Sequence, residues 1–406
     1  MAYRSQAAGL NSQLKPIAAV PRVAVICDLA EENWPSMDLV AEMIYSRLQA
    51  NHSSQFQTAK LCPQMQRRFK RLPVIGRQWS ANNADRLLNR YWDYPRWLRQ
   101  QRDEFDLFHL VDHSYGQLLH ELPPERTVVT CHDLDTFRCL LEPESEPRPL
   151  WFRRMMQRTL DGFRRAARVI CVSETTRQHL LAHGLFEADK LTVVTNGVHP
   201  SCRSEGNVMA DAKAAQLLGK TADGSFLLHV GSTIPRKRIE ALLQIFAAVR
   251  QSIPQTRLVR VGGPFTAEQN RLLHKLKLQD SVLVLPFLDR DVLAAVYRRA
   301  ALVLQPSERE GFGLPVAEAM ACGTNVVASD IAVLREVGGE AASYCPVGDV
   351  AVWAETILAL LAERKDRPDD WQQRRQRAIA QAAKFSWAEH VRKLVEVYEE
   401  VLNSGQ

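Results

Sequence analysis

Residues Pro306-Ser-Glu-Arg-Glu-Gly-Phe-Gly-Leu-Pro-Val-Ala-Glu318 decide how this chain is read. They follow a short apolar run, residues 302–305, of the kind that forms a strand buried on both faces. Gly311 and Gly313 mark a loop. Leu314-Pro315 then opens a helix, because proline's missing N–H is no loss at a first helical position. This order puts Glu310 in the loop beyond the strand end and Glu318, eight residues on, in the first turn of the helix. Glycines let backbone N–H groups approach an anion, and a helix N-terminus adds unpaired donors and a positive dipole end. Carboxylates accept paired hydrogen bonds from vicinal hydroxyls. Two acids flanking such a cradle suit a ligand with a diphosphate in the middle and polyol rings at both ends. Glycines here also serve as plain turn formers, and an acid near a helix start also serves the dipole alone. The segment by itself leaves both uses open.

Outward from this segment the pattern repeats. Short apolar runs occupy residues 22–27, 107–111, 127–131, 169–172 and 191–194 in the first half, and 226–230, 258–261, 282–285, 302–305, 325–328 and 343–345 in the second. Helical stretches alternate with them, as at 239–251, 267–278, 291–300, 315–322 and 350–361. A β-α-β-α alternation implies parallel sheets with right-handed crossovers. Two such series in 406 residues imply two doubly wound α/β domains. Residues 200–224 begin Pro-Ser-Cys-Arg-Ser-Glu-Gly-Asn and hold no strand, so the boundary falls there. A last amphipathic helix spans about 387–402, with Ser386 as N-cap and Glu389 completing a capping box.

Hydrophobic residues at 46% and charged residues at 24% fit a globular protein, without low-complexity segments or repeats. The net charge of +6 is unevenly placed. Residues 60–102 hold 11 Lys+Arg against 2 acids, and residues 148–168 hold 7 Arg against 1 acid. The first half therefore carries a basic face, open to anionic lipid, nucleic acid or a phosphorylated acceptor. Phe69, Trp79, Tyr91, Trp92, Tyr94 and Trp97 interleave the first basic run, as at a membrane interface, or else pack inward. The 8 cysteines form no CxxC or zinc spacing and read as buried free thiols of a reducing compartment. Residues 1–20 lack a signal-peptide core, and no run reaches the roughly 18–20 apolar residues of a spanning helix. A cytoplasmic protein, peripheral at most to the inner face of the membrane, is expected.

Glu310-Gly-Phe-Gly-Leu-Pro-Val-Ala-Glu318 resembles the Glu-x7-Glu motif of family 4 glycosyltransferases, retaining enzymes of the GT-B fold. Val172-Ser-Glu-Thr-Thr176, Val194-Thr-Asn-Gly-Val198, His229-Val-Gly-Ser-Thr-Ile-Pro-Arg-Lys237, Val261-Gly-Gly-Pro264 and Met320-Ala-Cys-Gly-Thr324 resemble further family segments in the same order. The resemblance runs from about Cys131 onward. It implies GT-B architecture, two Rossmann-like domains facing a cleft. Residues 1–203 would form the acceptor side, with 387–406 packing back on it, and 204–386 would bind the nucleotide-sugar donor. Glu310 would hold donor-sugar hydroxyls and Glu318 the ribose. Gly313, Leu314 and Pro315 would border the diphosphate, with Gly231, Ser232 and Gly262 in the phosphate loops. Lys237, assisted by Arg236, would neutralise the leaving nucleotide. His132, beyond the strand 127–131, would orient the donor.

The sequence departs from the family pattern in places. Ser232 and Thr233 stand where many members carry arginine, Asn325 stands where proline is frequent, and the first βα loop, residues 28–37, has no glycine. The family's front-face route needs no protein nucleophile. No acidic metal-binding pair stands at a supporting position, and neither a metal nor a cofactor is expected. The expected function is transfer of a hexose from a UDP- or GDP-sugar to a saccharide or lipid-linked acceptor in envelope or exopolysaccharide synthesis. Two other readings fit part of the sequence. One is a sugar-nucleotide-binding protein of the same fold without transfer. The other is a basic nucleic-acid-binding protein, which leaves the two-glutamate segment without a use and lacks any known nucleic-acid signature.

Overall fold

The computed structural model describes residues 20–32, 34–71, 79–221 and 226–404. The expectation for the N-terminal leader, the Trp79 side chain and the end of the boundary segment fall outside the described residues. Six strands form the first sheet: β1 (Arg22–Ile26), β2 (Gln57–Leu61), β3 (Leu107–Leu110), β4 (Thr127–Cys131), β5 (Arg168–Cys171) and β6 (Leu191–Val193). Six form the second: β7 (Phe226–Val230), β8 (Arg257–Val261), β9 (Val282–Leu285), β10 (Leu302–Gln305), β11 (Val326–Ser329) and β12 (Ser343–Cys345). Every pairing is parallel, in the orders β2-β1-β3-β4-β5-β6 and β12-β11-β10-β7-β8-β9. Helices cover both faces, so the central strands are buried throughout, as their unbroken Val/Ile/Leu runs require.

In each sheet the chain reverses its direction of growth once, between β1 and β3 and between β7 and β10. The helices leave opposite faces at such a point and open a crevice at the carboxyl ends, where ligands of these sheets bind. The loop after β7 carries Gly231 and Lys237, and the loop after β10 carries Glu310. The strand order thus brings together two segments more than 70 residues apart.

The boundary segment holds no strand but contains the helix Val208–Leu218. Its Ala210, Ala214 and Leu218 join the core of the second half. The helix Trp387–Ser404 returns to the first sheet. Its stripe of Trp387, Val391, Leu394, Tyr398 and Val401 packs on Val23, Val25, Leu107, Val128 and Ile170. At roughly 1.5–3 kcal/mol for each large apolar side chain buried, this stripe holds the helix firmly. Buried His109 adds bonds to the Tyr398 hydroxyl at 2.6 Å and Thr130 at 2.8 Å. Ser386 Oγ accepts from the N–H groups of Ala388 and Glu389. The expected reciprocal half of the capping box gives way to a two-pronged Glu389–Arg392 pair.

One strand was not expected, and one alternative left open by the sequence is narrowed. Edge strand β2 went unread, because Gln57-Thr-Ala-Lys-Leu61 is polar on its exposed face and pairs only with β1. The aromatics of the basic run do not form one interfacial patch. Tyr94 is buried and donates to Cys27 O, and Tyr91 meets Thr159, while Trp92 is exposed. Much of the basic charge there is also paired: Arg68 with Asp93, Arg86 and Arg90 with Glu32, Arg99 with Glu121. All eight cysteines are free, and all but Cys62 are buried.

Candidate active site

The site is assembled around Glu310, whose side chain is 5% exposed. Its Oε1 accepts from Lys237 Nζ at 2.6 Å and from Gln305 Nε2 at 2.6 Å, and its Oε2 accepts from Arg236 at 2.9 Å. Burial works against the charged carboxylate, but Lys237 and Arg236 outweigh it and hold the group down at about 2. Glu310 is therefore ionised at any working pH.

Lys237 ends a single 3-10 turn, Pro235–Lys237, and is itself buried. The next residue, Arg238, takes a left-handed conformation (φ 53°), turning the chain sharply into the helix Ile239–Ser252. That turn aims Lys237 back beneath Gly231: a Cβ placed on Gly231 would lie 3.6 Å from Lys237 Cε. The two glycine loops also touch, since a Cβ on Gly262 would stand 2.1 Å from Gly231 O. Gly262 has φ 130°, so only glycine suits both the conformation and the contact.

Glu318 lies in the second turn of the helix Leu314–Ala321, not the first, with Pro315 second in that helix. Gly313 precedes the helix at φ 93°, in the left-handed region. Glu318 is buried, and its Oε2 accepts from the Tyr297 hydroxyl at 3.1 Å. Desolvation dominates there and pushes the carboxyl up to about 7, against the lowering pull of Tyr297 and Arg290. The surroundings of the two glutamates of one motif thus shift them in opposite directions. Thr324 steadies Tyr297 by donating to its carbonyl at 2.7 Å.

The halves of the molecule meet at this loop. A Cβ on Gly311 would fall 1.8 Å from His132 O, and Ser173 Oγ donates to Gly311 O at 2.8 Å. Arg236 spans the junction, pairing with Asp135 at 3.0 Å and Asp133 at 3.5 Å as well as with Glu310. The sequence expectation gave Arg236 to the donor phosphate; in the structure three carboxylates engage it. His132 is buried beside the loop, with Nε2 2.8 Å from Val111 O. A carbonyl only accepts, so Nε2 carries a proton and donates to it.

The geometry joins Glu310, Lys237, Arg236 and the Gly231–Ser232 loop into one cluster, with Gly262 packed against it and His132 on its first-half wall. Glu318, on the helix Leu314–Ala321, and Tyr297, on the helix Arg290–Arg299, make a second buried pair. The family comparisons divide along the same lines. The model for glycosyl transferases group 1 matches residues 212–384, and that for Glycosyltransferase Family 4 matches residues 48–201. A D-inositol 3-phosphate glycosyltransferase of Corynebacterium efficiens is 30% identical over 315 residues, 73% of this chain and 72% of that protein. The chain belongs to glycosyltransferase family 4.

This family 4 glycosyltransferase is also similar to the O-antigen chain mannosyltransferase B of Escherichia coli, 28% identical over 314 residues covering 75% of this chain and 78% of that one. The fold matches that of HepE from Anabaena, solved in complex with UDP and glucose. The TM-score is 0.69 at 17% identity, over 94% of this chain and 100% of that one. The architecture is GT-B, as expected.

Some residues of the site escaped the sequence reading. Gln305 and Tyr297 anchor the two glutamates but look like ordinary core positions in sequence. Arg260 carried a readable signal, a charge in the apolar strand Arg257-Leu-Val-Arg-Val261. It is fully buried and donates to the carbonyls of Gly231, at 2.9 Å, and Gly263. On the first-half side, Asp28 and His113 bring unpartnered buried polar atoms to the carboxyl ends of β1 and β3.

Proposed function

We propose that the chain transfers a hexose, with retention of configuration, from a nucleoside-diphosphate sugar to a saccharide or lipid-linked acceptor in envelope glycan synthesis. The observation that carries this is the buried Glu310–Lys237 pair, 2.6 Å apart, at the switch point of the second sheet and against the first half. Ionised Glu310 accepts hydrogen bonds from donor-sugar hydroxyls, and Glu318 accepts from the ribose. The diphosphate lies over the Gly231–Ser232 loop and the helix that follows Gly313, where Leu314 and Pro315 border it. Lys237 then offsets the negative charge that grows on the leaving phosphate. In this front-face route the bond from C1 of the sugar to the phosphate oxygen breaks. The acceptor oxygen bonds C1 from the same side, and its proton passes to the departing phosphate. His132 orients the donor from the first-half wall of the site. Charge neutralisation by Lys237 and backbone N–H groups supports turnover without a divalent metal. Loss of activity in chelator, restored by Mg²⁺ or Mn²⁺, would remove that part.

The acceptor-side half offers Leu150 and Trp151, both exposed, at the start of the helix Leu150–Phe163, with Arg154 and Arg158 on the same element. These fit a peripheral position on anionic lipid at the cytoplasmic leaflet. No helix among the described residues is long and apolar enough to cross a membrane. Flotation with anionic vesicles at low salt tests the surface, and failure to float refutes it.

The donor reading is tested by isothermal titration with UDP, GDP and ADP on the wild type and on Glu318→Ala. One nucleotide should bind, more weakly in the variant. If none of the three binds the wild type, the donor site is misassigned.

A further inference from the structure

Among the described residues of the donor site, Arg260 is a buried cation with no carboxylate paired to it. Lys237 and Arg236 face Glu310, Asp133 and Asp135, and Arg309 reaches Asp135 and Glu308, so these cations and carboxylates engage one another. The loop Gly231-Ser-Thr-Ile-Pro235 between β7 and Lys237 carries no charge. His229, paired in register with Arg260 on neighbouring strands, is held neutral: burial first, then Arg260 and Lys237, push it down to about 3. A nucleoside diphosphate brings two or more negative charges to this place, and the ion pairs at its rim do not balance them.

Arg260 does not share this pairing. It is 0% exposed, and among the described residues no carboxylate pairs with it; burial draws the guanidinium down to about 10. Its neighbours are the carbonyls of Gly231 and Gly263 and the Phe265 ring, whose centroid is 5.2 Å from the guanidinium carbon. An unpaired buried cation costs the fold several kcal/mol as an order of magnitude, and apolar residues surround this strand on both faces. Tying back the two glycine carbonyls also leaves the loops held in one arrangement at the rim of the cleft.

We infer that Arg260 is a positioning residue for the donor diphosphate, a buried positive charge beneath the two glycine loops that offsets the phosphates without touching them. This deepens the donor-site reading and rests on it. The charge works through one layer of backbone, in a low-dielectric interior where screening is weak. Its effect falls on the phosphates and spares the base and ribose. Diphosphate affinity, relative to monophosphate affinity, is the quantity that Arg260 sets.

The test titrates UDP, GDP and ADP, each against its nucleoside monophosphate, into the wild type, Arg260→Met and Arg260→Lys. In R260M the ratio of diphosphate to monophosphate affinity should fall about ten-fold or more, and KM for the sugar nucleotide should rise more than kcat falls. R260K keeps the charge at low pH, but a buried lysine loses its proton far more readily than arginine. Its ratio should therefore stay near that of the wild type at pH 6.5 and fall about ten-fold by pH 8.5, well below the value of about 10 to which burial draws Arg260 itself. His229 and Glu310, pushed down to about 3 and about 2, do not change state in this range, and the ratio to monophosphate cancels the titration of Glu318, which faces the ribose common to both nucleotides. Diphosphate and monophosphate affinities that decline together in R260M mean that Arg260 only props the loops, and overturn the inference. So does a flat pH profile in R260K, which remains readable if the methionine variant does not fold. A wild type that binds no nucleotide diphosphate refutes the donor site itself, before either variant is made.

Discussion

Replacing Glu318 with glutamine separates what this side chain does for a ligand from what it costs the unliganded fold. Burial pushes its carboxyl up to about 7 in the folded chain, from the ordinary 4.5 that holds in the unfolded chain. Between these values the folded chain keeps a proton that the unfolded chain has released, so stability falls as pH rises through the window and levels off above 7. Integrated from pH 5 to pH 8, the loss from this one group is roughly 2.5 kcal/mol. Glutamine keeps an oxygen to accept from Tyr297 and has no charge to desolvate. Urea unfolding without nucleotide, at pH 5 and pH 8, should then show the Glu318→Gln protein gaining on the wild type by about 2 kcal/mol between the two pH values. Nucleotide affinity should move the opposite way. In the wild type it should rise through pH 7 as the carboxylate forms and accepts the ribose hydroxyls, and in the variant it should be weak and flat. A stability difference that does not change with pH would refute the burial argument. Unchanged nucleotide affinity in the variant would refute the ribose contact.

Glu310→Gln should lower kcat by about 100-fold or more, as removal of an electrostatic contact at a reacting centre does. It should leave diphosphate affinity equal or higher, because Lys237 is released; steady-state kinetics and titration read the two effects. Since Glu310 is depressed to about 2, its stabilising contribution is present above the unfolded value of 4.5 and lost as pH falls toward 2. Acid unfolding of the variant should lack that component. Gly311→Ala places a methyl group 1.8 Å from a backbone oxygen of the other half. It should force the halves apart and cut kcat/KM at least about ten-fold, since misplacements on the order of 1 Å are costly, while nucleotide titration changes much less. His132→Ala should reduce turnover or weaken donor binding, and full turnover with unchanged affinity would remove its orienting role.

The contiguous apolar runs were enough to read two parallel sheets, because a strand buried on both faces has no polar position to disguise it. Edge strand β2 has one exposed face and little apolar content, and it passed unread. Glu310, Glu318 and Lys237 were legible because each sits in a strand–glycine–helix context with a local meaning, whereas Tyr297 and Gln305 have no such context.

By itself the sequence determined the alternation of strands and helices, the glycine loops and the two acids eight residues apart, since all of these are local in the chain. Only the tertiary structure decided the state of those acids. Glu310 is ionised because the strand order brings Lys237 and Arg236 to it from 73 and 74 residues away. Glu318 is raised because the helix carries it into a buried position where desolvation outweighs the Tyr297 hydrogen bond and the charge of Arg290. Tertiary structure likewise turned Arg236 toward Asp133 and Asp135 and set Arg260 beneath the glycine loops. Charge and burial are summed over neighbours in space, and adjacency along the chain does not supply those neighbours.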